Sequence, residues 1–279
     1  METGRASKTA LGVAIRRAAH QLVDRPPVLV DPIAVRLVGE GHPRLMERAM
    51  HPVGRDFRAF MAVRSRYTED QLAVAVALGV TQYVVLGAGL DTFAYRNPFD
   101  ALRVFEVDFP ATQAGKRDRL AEAGISVPES LTFVPLDFEH HTLAEGLADA
   151  GFDARKAAFF GWLGVVPYLT PEAFRATLAA IGQLPAGTAV SFDYAISPET
   201  LGPLGRVAFD RLAERVAAAG EPFQLFFTPE TMELELRRAG FQRIEQLDYE
   251  RLNELYFKDR ADGLKLSAVR LAMLTTAWV

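Results

Sequence analysis

The run Val84-Val85-Leu86 ends in Gly87-Ala88-Gly89. Two glycines so close behind a β-branched, aliphatic segment let a ligand approach bare backbone at the end of a buried strand. The same turn without a ligand is a tight strand-to-helix connection. Acids stand at the matching places downstream. Glu106 and Asp108 close the next apolar run, 17 and 19 residues beyond Gly89. That is near the roughly 20 at which an acidic side chain accepts hydrogen bonds from ribose hydroxyls. Asp137, followed by Phe138, closes a third run, and an acceptor beside a flat apolar ring suits an adenine. Asp137 is equally placed to cap a helix starting near His141, and the two roles are compatible.

The remaining chemistry-bearing residues are few. Arg64 shares a helix face with Tyr67 or Thr68 and with Gln71 by the i, i+3/4, i+7 rule, and its helix can return it to the mouth of the glycine turn. Arg66 and Asp70 read as an exposed i, i+4 ion pair. Tyr168 lies on a loop after a fourth apolar run and is the candidate for substrate contact. Among possible bases, His20 ends the first helix, where the helix dipole explains it. His42 and His51 fall in a polar N-terminal stretch, and His140 and His141 at a helix start. No histidine is assigned as a base.

The elements that must position these residues follow from hydrophobic period. Strands are predicted over 83–86, 102–108, 131–138, 157–163, 189–194, 243–249 and 266–273. Helical spacing covers 7–19, 33–37, 57–78, 111–123 and 204–219, and further helices begin at Thr170-Pro171-Glu172 and Thr228-Pro229-Glu230. The alternation predicts an α/β domain over 1–279, a doubly wound, mostly parallel seven-stranded sheet. Residues 1–56 form a helical cap, and an inserted helical segment at 196–227 follows the fifth strand as a lid.

With 31 basic and 35 acidic residues the net charge is −4, which attracts neither phosphate backbones nor anionic membranes. No cysteine is present, so disulfides, thiolate nucleophiles and Cys-ligated zinc are excluded. No run has the length of a signal peptide or a membrane span. The expectation is a soluble, cytoplasmic protein acting on a small molecule, without nucleic-acid or membrane partners.

NAD(P) and S-adenosylmethionine both fit such a sheet. A dinucleotide site asks for a third small residue in Gly-x-Gly-x-x-Gly/Ala, so that a helix N-terminus meets the pyrophosphate; here that position is Thr92. The segments Val85-Leu86-Gly87-Ala88-Gly89-Leu90-Asp91-Thr92, Phe105-Glu106-Val107-Asp108-Phe109-Pro110, Asp137-Phe138 and Tyr168-Leu169-Thr170-Pro171-Glu172 together resemble the ordered motifs of the leucine carboxyl methyltransferase family, class I S-adenosylmethionine-dependent O-methyltransferases. Ser7-x-Thr9-Ala10, Asp31-Pro32 and Arg64-Ser65-Arg66 are similar to its bacterial branch.

The resemblance implies a Rossmann-like fold and a cofactor site. In it Arg64 pairs with the methionine carboxylate, Gly87, Ala88 and Gly89 contact the methionine part, Asp108 holds the ribose, and Asp137 with Phe138 frames the adenine. Spacing alone leaves Glu106 open beside Asp108. Members that modify a protein phosphatase have a glutamate five residues before the motif tyrosine, where this chain has Leu163. The expected reaction is methyl transfer to a small-molecule oxygen, a carboxylate ahead of a hydroxyl because a carboxylate needs no base. The alternatives are an NAD(P)-binding oxidoreductase and a catalytically silent S-adenosylmethionine-binding protein.

Overall fold

The computed structural model describes residues 8–39, 41–137, 142–218, 220–267 and 271–279. Its strands are β1 (Gln82–Leu86), β2 (Arg103–Asp108), β3 (Leu131–Pro135), β4 (Phe159–Trp162), β5 (Ala189–Ala195), β6 (Arg243–Leu247) and β7 (Ala272–Trp278). They form one sheet in the order β3-β2-β1-β4-β5-β7-β6. β1 to β5 are mutually parallel, and β7 runs antiparallel between β5 and β6. Covered on both faces, the central strands read as unbroken apolar runs.

Side chains alternate across the sheet. Val84, Leu86, Phe160 and Phe192 face one layer and pack with Leu147, Phe174 and Met232. These come from α6 (Leu143–Asp149), α7 (Pro171–Gly182) and α9 (Pro229–Arg238). Tyr83, Val85 and Phe159 face the other layer and meet Leu72 and Ala75 of α4 (Arg55–Ala77). The chain winds one way from β1 to β2 and β3 and the other way from β1 to β4 and β5. The crevice beyond the C-terminal ends of β1 and β4 is therefore the topological switch point where ligands bind in such sheets.

Before α4 come α1 (Lys8–Val23), α2 (Pro32–Val38) and α3 (Pro43–Met50). Ala14, Ile15, Ala18, Ala34 and Val38 pack together among them, with Leu90 of the glycine turn against the cluster. α5 (Pro110–Glu122) follows β2, and α8 (Pro203–Ala218) follows β5. Among the described residues, no helix is long and apolar enough to cross a membrane.

The expected strand over 266–273 is corrected, since the last strand starts at Ala272. Leu264 and Leu266 are loop residues packed with Val63 and Tyr67 of α4. The Asn253 side chain satisfies the backbone of Leu266 on both sides, donating to its carbonyl at 3.0 Å and accepting its N–H at 2.8 Å. Asn253 belongs to α10 (Tyr249–Tyr256), a helix that the sequence reading does not predict. Asp248 caps it by accepting the Arg251 N–H, and so ends β6 at Leu247.

Glu106, in the middle of β2, and Lys116 of α5 are both buried, with Nζ 2.5 Å from Oε2. The other oxygen, Oε1, has no partner among the described residues. Burial raises the Glu106 carboxyl to about 7, with Lys116 pulling the other way. Because the folded value lies above the unfolded one, stability from this group is complete below about 4.5 and lost as pH rises through about 7. In urea titrations, the stability of the native chain relative to Glu106→Gln is expected to fall between pH 5 and pH 8, by at most on the order of 3 kcal/mol. A difference independent of pH contradicts this.

Candidate functional site

The glycine turn lies where the sheet reverses its winding. Gly87 and Gly89 adopt φ of 64° and 48°, a region that side chains disfavour. The Gly87 and Ala88 N–H groups both donate to the Val107 carbonyl, at 2.8 and 3.1 Å, which ties the turn to β2. A Cβ on Gly87 would fall 2.5 Å from Val165 Cγ2, and one on Gly89 would fall 3.1 Å from Ala10 Cβ. The turn is therefore packed between the loop after β4 and helix α1.

Asp108 closes the other side. Its carboxylate accepts the Gly89 N–H at 2.5 Å and the Phe109 N–H at 2.7 Å. Burial raises this carboxyl above its ordinary value, against those two backbone donors. Glu106 points to the same side of β2 but lies one pleat deeper and is engaged by Lys116. Of the two acids the spacing leaves open, only Asp108 stands at the strand end against the glycine turn. Asp137 is half-buried, two residues past the end of β3. It is not the cap of the next helix: Thr142 accepts the Glu145 N–H and forms a capping box there. Phe138, His140 and His141 lie outside the described residues.

Arg64, buried on α4, reaches the far end of the crevice. Its Nη1 donates to Asp193 of β5 at 3.0 Å, and Nε is buried without a partner among the described residues. Gly164, at φ 71°, makes room for the guanidinium, since a Cβ there would lie 2.9 Å from Nη2. The Gly164 N–H donates to Asp193 Oδ1 at 2.6 Å. Arg66, two residues on, is exposed and paired with Asp70 at 2.9 Å.

Tyr168 ends a 3-10 turn, Val166–Tyr168. The chain after α8 docks on that turn. The Pro167 carbonyl accepts the Gln224 and Leu225 N–H groups at 2.7 and 3.2 Å, and the Gln224 side chain donates to the Tyr168 carbonyl at 2.9 Å. The Tyr168 ring lies 5.3 Å from Phe223, itself in contact with Phe209 and Phe226. Burial pushes the Tyr168 hydroxyl up to about 12, so it is a neutral phenol at physiological pH.

His20 is a structural residue. Nε2 accepts the Val28 N–H at 2.8 Å, and Nδ1 lies 2.8 Å from Asp24, which Arg58 holds from the other side. With both ring nitrogens engaged it is not a base. His42 precedes α3 at its N-cap without a side-chain capping bond, and His51 stands at the C-cap of the same helix.

The sequence reading misses a buried network beneath the glycine turn. Asp31 accepts hydrogen bonds from Arg17 Nε at 3.1 Å and from the Thr92 hydroxyl at 2.8 Å, and Arg17 also bonds to Thr92. Arg96 adds a contact to Asp31 at 3.4 Å and a bond to Glu69 at 2.7 Å. Burial alone would raise the Asp31 carboxyl, but Arg17 and Arg96 hold it below its ordinary value. These partners are 14 and 61 residues from Asp31, so no local pattern announces them. The one signal is Thr92 itself. Its hydroxyl faces Asp31, and the turn continues into a 3-10 segment, Phe93–Arg96, not an α-helix whose N-terminus could meet a pyrophosphate.

Residues 10–182 match the family model described as leucine carboxyl methyltransferase. The chain is 34% identical to YktD of Bacillus subtilis strain 168, provisionally named an S-adenosyl-L-methionine-dependent methyltransferase, over a 295-residue alignment covering 95% of each. It superposes with TM-score 0.60 on a provisionally named methyltransferase from Thermobifida fusca, at 17% identity, covering 99% of this chain and 96% of that one. With a DUF574 family protein from Streptomyces avermitilis the TM-score is 0.57, at 17% identity and 88% and 94% coverage.

If Asp108 is the ribose acceptor, Asp108→Ala is expected to weaken binding of S-adenosylhomocysteine more than about tenfold by calorimetry. Glu106→Gln is expected to stay within about threefold of the native affinity, less than 1 kcal/mol. Equal losses in both variants would show that the pleat position does not separate the two acids.

Proposed function

The chain belongs to the leucine carboxyl methyltransferase family and is an S-adenosylmethionine-dependent methyltransferase, and from that premise we propose that it methylates an oxygen of a small molecule, a carboxylate ahead of a hydroxyl. The observation that carries this choice is the setting of Tyr168, a phenol on the turn where the segment with Phe223 docks. Beside the aromatic wall of Phe223 and Phe209, its hydroxyl is held protonated. It can donate a hydrogen bond to an acceptor oxygen but cannot remove a proton from one. A carboxylate arrives already as the nucleophile, so such a site suffices for it.

S-adenosylmethionine supplies an electrophilic methyl group on a sulfonium. Arg64, with its unpartnered buried Nε, suits the donor's carboxylate, and the bare backbone of Gly87, Ala88 and Gly89 suits its thioether chain. Asp108 at the end of β2 is placed for the ribose, and Asp137 beyond β3 for the adenine, with Phe138 as its neighbour in sequence. Displacement at a methyl carbon asks mainly for alignment at about 3 Å and for exclusion of water. The segment carrying Phe223 and Phe226, hydrogen-bonded to the Tyr168 turn, supports both as one wall of the acceptor site, and helices α1 to α3 supply another. That wall is aromatic and the net charge is small, which favours an apolar small-molecule acceptor in the cytoplasm over nucleic acid or a membrane.

S-adenosylhomocysteine, and neither NADH nor NADPH, is expected to raise the melting temperature. With methyl-labelled cofactor and a metabolite extract, the labelled product is expected to release methanol under mild alkali, as a methyl ester does. An alkali-stable product would move the acceptor to a hydroxyl. Cofactor binding with no transfer to any extract component would leave a silent binding protein.

A further inference from the structure

The corner of the crevice where β4 and β5 end holds two opposite buried charges that the methyl-transfer chemistry does not itself need. Arg64 and Asp193 are 6% and 5% exposed. Each offers unused capacity. Among the described residues Arg64 contributes one hydrogen bond from Nη1 to Asp193, while Nε is buried with no partner. Among the described residues Asp193 has one partner at each oxygen, Arg64 at Oδ2 and the Gly164 N–H at Oδ1, and a carboxylate oxygen can accept two. A buried guanidinium with a free N–H beside a buried carboxylate with free lone pairs is the charge complement of an α-amino acid head group, carboxylate to the one and ammonium to the other.

The position agrees with the chemistry. Asp193 holds Gly164, and Val165, the next residue, packs directly over Gly87. The pair therefore adjoins the glycine turn through two consecutive residues. Register brings in Leu163 as well. Trp162 pairs with Phe192 at the end of the β4–β5 ladder, so Leu163 and Asp193 follow side by side and face α4 together. There Leu163 packs with hydrocarbon while Asp193 meets Arg64. At this corner the carboxylate comes from β5.

We propose that Asp193 receives the ammonium group of the donor's amino acid tail while Arg64 receives its carboxylate, so that α4 and β5 form a two-residue clamp for the zwitterion. The Arg64–Asp193 pair then stands in for the ligand's own charges until the ligand arrives. This rests on the cofactor reading above.

Calorimetry on the full chain with three ligands tests it: S-adenosylhomocysteine, its analogue lacking the α-amine, and its analogue lacking the carboxylate. The native chain is expected to prefer S-adenosylhomocysteine to the deaminated analogue by about tenfold or more. Asp193→Asn, which keeps an acceptor for the Gly164 N–H, is expected to lose that preference and keep the preference against the decarboxylated analogue. Asp193→Glu is expected to retain part of the first preference. Native chain that binds S-adenosylhomocysteine and the deaminated analogue equally overturns the clamp without any variant. So does Asp193→Asn with native melting behaviour and an unchanged ratio. Failure of the native chain to bind S-adenosylhomocysteine at all overturns the cofactor reading together with the clamp.

Discussion

The hydrogen bond from the Gly89 N–H to Asp108, 2.5 Å long, joins the ends of β1 and β2 where the sheet reverses its winding. The turn that donates it is held on its other side by the Val107 carbonyl. Three residues of backbone are thus fixed between a carbonyl and a carboxylate belonging to one neighbouring strand. That geometry needs positive φ at Gly87 and Gly89, and it leaves Val165 and Ala10 as the side chains that pack on the turn. The residues proposed for the cofactor are arranged around this point: Asp108 beside it, Asp137 one strand further out, and Arg64 across β4.

The N-terminal helices are anchored to the same turn, by polar contacts as well as apolar ones. Asp31 is a buried carboxylate whose burial is unfavourable on its own. It is tolerated because Arg17 of α1, and Thr92 and Arg96 of the turn after β1, surround it with donors and positive charge from two separate segments. A network of this kind is sensitive to losing any one partner, since each loss leaves a buried group unpaired. It gives Thr92 a reason to be neither glycine nor alanine, and it couples α1 and α2 to the glycine turn. Leu90, packed on the cap cluster, adds an apolar contact to the same junction.

Two further buried charge pairs show how position, more than residue type, decides a role. Glu106 and Lys116 lie inside the layer between β2 and α5, both about 1% exposed at the side chain, where a ligand has no path. Arg64 and Asp193 have similar chemistry but stand at the strand ends beside a glycine-lined loop. One pair belongs to the interior, and the other lies beneath the crevice at the strand ends. The spacing from Gly89 that makes Glu106 a candidate counts residues along the chain. It does not register that a residue one pleat deeper, though on the same face, is covered by the next helix.

The sequence by itself determined the central strands, because strands buried on both faces must be apolar throughout and so show as unbroken runs. It also determined the turn at Gly87 to Gly89, the helix starts at Thr170 and Thr228, and the membership that the ordered motifs carry. Each of these is written in residues close together along the chain. Only the tertiary structure decided what depends on distant partners. It settled that Leu266, in an apolar stretch that imitates a strand, is a loop residue served by the Asn253 side chain. It showed that His20 is consumed by Asp24 and the Val28 N–H, that Thr92 answers to Asp31, and that the carboxylate facing Arg64 comes from β5, 129 residues away. A local pattern records a residue's own conformational and burial preferences. The partner that a buried polar group finds is a property of the folded chain.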